Sequence, residues 1–176
     1  MSKKNVLFLF IFMFIITIVF IHYTGKEKYS PPTISEVNEF VSKNSINALS
    51  IKETNEFTIV LFENVQEYGH YILYKNQKNK LYSGCVKAGR DSKENTVSLG
   101  GVASGKIPFV TVIINDEDML QKAKKIEITF KDGTVVNEMI SGKGTIVLHH
   151  NEINKEPMSY IKLIIYDKDM TKLYEQ

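Results

Sequence analysis

Hydrophobic residues fall along this chain in three patterns, and each pattern predicts a different kind of element. The first is an unbroken run from Val6 to Ile21, VLFLFIFMFIITIVFI, with no charge, no Gly, no Pro and only Thr17 carrying a polar side-chain atom. With His22 and Tyr23 it reaches about 18 residues, or roughly 27 Å as a helix, enough for a hydrocarbon core of about 30 Å. It predicts a transmembrane signal anchor over 6–23. The rival is a cleaved signal peptide, whose apolar region is usually shorter and ends in small residues at a cleavage site; Ile21 to Gly25 does not supply them. Lys3 and Lys4 precede the run, whereas Lys26, Glu27 and Lys28 follow it with a smaller net charge. That bias leaves 1–5 in the cytoplasm and everything after the span outside.

The second pattern has helical spacing. After a polar linker over 24–33 that contains Pro31 and Pro32, Ile34, Val37, Phe40 and Val41 recur on one side of a short helix ending near Lys43. Thr33 or Ser35 can cap it, and Glu36 suits the first turn. From Ile46 onward the period drops to two. Short runs rich in Val, Ile, Phe, Tyr and Thr predict strands near Ala48–Lys52, Phe57–Phe62, Tyr68–Tyr74 and Leu81–Val86. They make a first block, 34–88, of helix plus β-meander. After a polar loop over 87–95, strands near Thr96–Leu99, Phe109–Ile114, Lys125–Phe130, Thr134–Met139, Gly144–His149, Tyr160–Tyr166 and Lys172–Tyr174 make a second block, 95–176. Asp132-Gly133 predicts a hairpin with a primed turn, Asp167–Met170 another hairpin, and Asn115 or Asp116 can cap a helical turn ending near Lys124.

The fold class expected is therefore mainly β: an N-terminal transmembrane helix, a short helix and a β-meander, then an antiparallel β-sandwich for which an immunoglobulin-like topology is the leading candidate. No Trp and no Cys pair is present, so strand count alone carries that topology.

Charge changes the picture by exclusion. Of 22 Lys plus Arg, Lys3 and Lys4 lie before the span, which leaves 20 against 20 Asp plus Glu in the rest of the chain. A neutral exported domain has no field to draw nucleic acid, so no nucleic-acid partner is expected. Cys85 is the single Cys, so an intramolecular disulfide is excluded and a small, half-buried, inert thiol is expected there.

IPFVTVIINDEDMLQKAKKIEITFKDGTVV and the ending IKLIIYDKDMTKLYEQ, together with the anchor, resemble uncharacterised single-span exported proteins of Gram-positive bacilli. The resemblance implies an envelope location and a β-domain. It brings no catalytic residue.

Five constellations invite chemistry. Gly100 to Lys106, GGVASGK, has the spacing of a phosphate loop, but Ile107 and Pro108 stand where a Ser or Thr and a helix should follow. His149 and His150 are neighbours on a strand end and point apart; with His70, Cys85 and Glu152 they make a poor zinc set. Asp116, Glu117 and Asp118 lack the spacing of a calcium loop and suit a helix start instead. His70, or the His149 and His150 pair, with Asp91 or Glu152, would serve an exported hydrolase only if the fold brought them together. The last is a surface: Tyr68, Tyr71, Tyr74 and Tyr82 lie on neighbouring strands beside a basic run of Lys75, Lys78, Lys80, Lys87, Arg90 and Lys93. Tyr68, Tyr71, Tyr74, Lys75, Lys78, Lys80 and Tyr82 are the candidate interaction residues, since Tyr is favoured at interfaces.

No cofactor is expected. The reading is an extracytoplasmic binding or accessory module, not an enzyme, with the membrane and either an envelope protein or a wall polymer as partners. An exported hydrolase and a metal-responsive sensor are the alternatives.

Overall fold

The computed structural model describes residues 29–89, 95–103, 107–149 and 159–176. The expected span over 6–23 lies outside them, and among the described residues no helix is long and apolar enough to cross a membrane. The described residues are mainly β, with antiparallel strands in three sheets and two short helices.

Helix α1, Ile34–Lys43, starts at Thr33, whose hydroxyl accepts from the Glu36 N–H while the Thr33 N–H donates to the Glu36 carboxylate at 2.7 Å. This reciprocal cap satisfies two of the donors that a helix start leaves open. The same carboxylate accepts from Lys75 Nζ at 3.1 Å, which ties the helix to the strand below it. Val37, Phe40 and Val41 pack onto that sheet. Ile34, expected beside them, lies one turn upstream and is 73% exposed.

Strands β1 (Ala48–Glu53), β2 (Thr58–Glu63), β3 (Glu67–Lys75) and β4 (Leu81–Gly89) are neighbours in chain order, a meander as expected. Asn64 and Asn76 close two of its hairpins by accepting backbone N–H groups two to four residues on, the local bonding that suits Asn to turns. β4 runs three residues past the expected end, so Lys87 to Gly89 belong to the sheet and not to a loop.

The remaining strands are β5 (Val97–Val102), β6 (Phe109–Ile114), β7 (Lys125–Phe130), β8 (Val135–Met139), β9 (Gly144–Leu148), β10 (Tyr160–Tyr166) and β11 (Lys172–Glu175). They form two sheets, ordered β5-β6-β9 and β11-β10-β7-β8. Helix α2, Glu117–Lys122, links β6 to β7, with the Asp116 carboxylate accepting from the Met119 N–H at 2.7 Å. In the β7–β8 hairpin only Gly133 has positive φ, +84°, and its N–H donates to the Phe130 carbonyl. The turn is therefore not the primed one expected: Asp132 spends its carboxylate on the Thr134 N–H and hydroxyl, which holds it at negative φ.

Strand parity explains the stacking. On β6, Val110, Val112 and Ile114 face the β11-β10-β7-β8 sheet and share a core with Ile126, Ile128, Phe130, Leu163 and Ile165. Phe109 and Ile113 face the other way and share a core with Ile59 and Leu61 of β2 and with Ile146 of β9. The central sheet is thus covered on both faces, which is why FVTVII is buried at every position. The two sequence blocks meet through this second core. Their closest approach is at Gly144, where a Cβ would stand 2.7 Å from Leu49 Cβ and 2.8 Å from Leu61 Cδ2. Two ion pairs also join the blocks, Lys143 to Glu63 at 2.7 Å and Lys52 to Glu138 at 2.8 Å.

Candidate interaction surface

The seven residues singled out from the sequence do not form one patch, and the pleat is the reason. Tyr71 and Lys75 point to the α1 side of the meander: Tyr71 lies edge-on to Phe40 at 5.3 Å and against Phe62, and Lys75, 9% exposed, is paired with Glu36. Burial first, then the neighbouring Cys85 thiol, pushes the Tyr71 hydroxyl above its usual pKa. Tyr68, Tyr74 and Tyr82 point to the opposite side. There Tyr74 stacks on Tyr82 at 5.6 Å and meets Tyr29 edge-on at 5.0 Å, and Lys80 Nζ sits 5.4 Å from the Tyr82 ring. Lys78 stands exposed in the β3–β4 turn.

Tyr68, at the far end of β3, belongs to something else. It lines a groove of about 480 Å³ together with Val97, Ser98 and Leu99 of β5, Tyr160 of β10, Tyr174 of β11 and the terminal Gln176. β5 ends the central sheet, so one of its edges has no strand partner among the described residues. Asn115 Nδ2 donates to Ser98 Oγ and to the Asn95 carbonyl, both at 2.8 Å, and holds the start of β5 in place. Tyr174 donates to Gln176 Oε1 at 2.9 Å. Burial, with Tyr174 beside it, pushes the Tyr160 hydroxyl above its usual pKa, so it stays a neutral donor and acceptor. The side chains lining the groove thus present aromatic faces, hydroxyls and amides, none with a formal charge. Tyr160 and Tyr174 were not singled out from the sequence, because only the packing of β10 and β11 brings them beside Tyr68.

The other constellations resolve by position. His70 is 2% exposed on β3, edge-on to Phe109 at 5.0 Å, in the core between the meander and the central sheet. His149 is buried in the next layer, edge-on to Phe130 at 4.7 Å, with Nε2 3.1 Å from Asp132 Oδ2. The two imidazoles lie on opposite faces of the central sheet and cannot act on one substrate. His150, Glu152 and Asp91 lie outside the described residues, and no group of three His, Cys, Asp or Glu among the described ones could hold a metal ion. Gly100 to Val102 continue β5, where a Cβ on Gly101 would meet the Phe109 carbonyl at 2.1 Å. The rest of that motif, 104–106, lies outside the described residues. Cys85 is exposed and not half-buried, because β4 extends beyond the layers on either side of it.

His70 Nε2 has no hydrogen-bond partner among the described residues, and burial pushes its pKa below the ordinary 6.5. The unfolded chain therefore binds a proton at His70 before the folded one does. Its contribution to stability is complete above pH 6.5 and is lost as pH falls through 6.5 towards the lower folded value. Urea titrations from pH 7.5 down to 4.5 are expected to show this slope, at most about 1.4 kcal/mol per pH unit for one proton. In His70→Leu the His70 part of the slope should disappear; an unchanged slope would assign it elsewhere.

Compared with protein-family models, curated proteins and solved structures, the chain matches none.

Proposed function

We propose that this protein is a binding or accessory module of the cell envelope, held by an uncleaved N-terminal span over 6–23 with its β-domain outside the membrane. The observation that carries the reading is the groove between Tyr68, Tyr160 and Tyr174 along the open edge of β5. Stacking faces, neutral hydrogen-bonding side chains and a strand edge are the equipment for holding an extended chain, a peptide or a wall glycan. The order of the last seven strands supports an immunoglobulin-like sandwich as its frame. β5, β6 and β9 take the places of strands A, B and E, and β7, β10 and β11 those of C, F and G. β8 pairs with C where a constant-type domain has a strand beside E. The resemblance to single-span exported proteins of Gram-positive bacilli agrees with this location.

The test is crosslinking in living cells of the affinity-tagged full chain, with an anchor-only control. One envelope protein or wall fragment should be enriched, and Tyr68→Ala should reduce its recovery several-fold without changing the amount of protein in the membrane fraction. Turnover of a wall or peptide substrate by the purified chain would replace this reading with a hydrolase.

A further inference from the structure

Among the described residues, β4 is a strand that nothing covers. It is nine residues long, ends the meander, and pairs only with β3 among the described residues. From Tyr82 to Gly89 every residue is exposed, so neither α1 on one face nor the central sheet on the other reaches it. Open edges of this length are normally blunted by Pro, by several charges or by a covering segment; β4 has no Pro and one charge, Lys87.

The hydrogen-bond alternation identifies its free backbone groups. Lys75 and Ser30 exchange both of their backbone hydrogen bonds, at 2.8 and 3.1 Å, so the N–H and C=O of Lys75 point away from Leu81 opposite it. In an antiparallel pair the bonded positions alternate. Leu81, Ser83, Cys85, Lys87 and Gly89 therefore direct their N–H and C=O outward, to the free edge.

We propose that the chain self-associates through β4, two copies joining these edges antiparallel about a two-fold axis at Cys85 to make one eight-stranded sheet. Cys85 is the middle of the strand, and pairing about it uses all nine residues and up to about ten backbone hydrogen bonds. A two-fold interface must be complementary to itself, and this register is. Tyr82 meets the partner's Ala88, Gly84 meets the partner's Val86 and Leu81 meets the partner's Gly89, so large side chains face small ones. Lys87 meets the partner's Ser83, and no like charges are opposed. Moving the axis two residues along, to Lys87, would set the two lysines against each other.

Cys85 is the single thiol of the chain and reports on its own contact. Membranes carrying the full chain, treated with a short bis-maleimide, should give a band of twice the monomer mass on a denaturing gel, and sedimentation of the detergent-extracted chain should show a reversible dimer. Ser83→Glu places a carboxylate opposite the partner's Lys87, which keeps Glu67 of its own copy at 3.1 Å, twice per dimer and should tighten association by about two- to five-fold; Ser83→Lys should weaken it by a similar factor. Ser83 is exposed, so at concentrations where the chain is monomeric both variants should melt like the parent. A monomer at all concentrations, equal effects of the two substitutions, or Cys85 crosslinked instead to a different protein would overturn the proposal.

Discussion

Gly144→Val is expected to destabilise the protein by about 3 kcal/mol, the upper end of the usual cost of overpacking. The reason is the seam between the two sequence blocks. β9 approaches the meander with no side chain at Gly144, and the space a Cβ would need is already held by Leu49 and Leu61 within 2.8 Å. Leu49 Cβ is anchored to its own strand and cannot swing aside, so β9 or β1 must retreat. Retreat opens the core of Ile59, Leu61, Phe109, Ile113 and Ile146, which holds the meander on the central sheet. Urea unfolding should show the loss, and Leu49→Gly in the same chain, which removes that Cβ, should restore part of it, a coupling that a double-mutant cycle measures. No loss in the single variant would show that the seam does not hold the blocks together.

Phe130→Ala carries an expected cost of about 3–5 kcal/mol, the range for emptying a core of a large aromatic ring. Phe130 is completely buried at the end of β7, among Ile128, Val136, Val147 and Leu163. Its ring also supports His149 edge-on, whose Nε2 meets Asp132 in the hairpin immediately beyond. Removing it leaves a cavity and loosens the imidazole that pins the turn. Val135→Ala, on the exposed side of the same hairpin, should cost no more than about 0.5 kcal/mol. Thermal or urea unfolding of the two variants compares them directly, and similar losses would mean that the β7–β8 end is not part of the core.

Much of the local structure was legible. The helix Ile34–Lys43 follows from the sequence, which left Thr33 and Ser35 as its candidate caps, and the cap is Thr33 because Glu36 lies three residues on to complete a box that acts within four residues. The strands of β7 and β10 and the cap on α2 were placed for the same reason. The candidate surface was only partly legible. Alternation alone separates Tyr71 and Lys75 from Tyr68 and Tyr74, since odd and even positions of β3 leave on opposite faces, and the hairpin register that sets Tyr82 opposite Tyr74 puts it on the same face. Which face α1 covers could not be read, because its contacts with Val60 and Leu73 depend on where the helix docks. The exposure of Cys85 was missed for a related reason: period-two spacing gives a thiol a face but does not say whether another layer reaches that face.

By itself, the sequence determined which segments are strands or helices and which side each residue of a strand leaves from. Those properties come from backbone geometry and from solvent avoidance within a few residues. Only the tertiary structure decided that β6 lies between two sheets, that β9 passes Leu49 at Gly144, that Tyr160 and Tyr174 join Tyr68, and that β4 pairs with β3 alone among the described residues. Each of these depends on contacts between residues far apart in the chain, where the pairing that wins is the one that covers the most apolar surface and no local pattern records the choice.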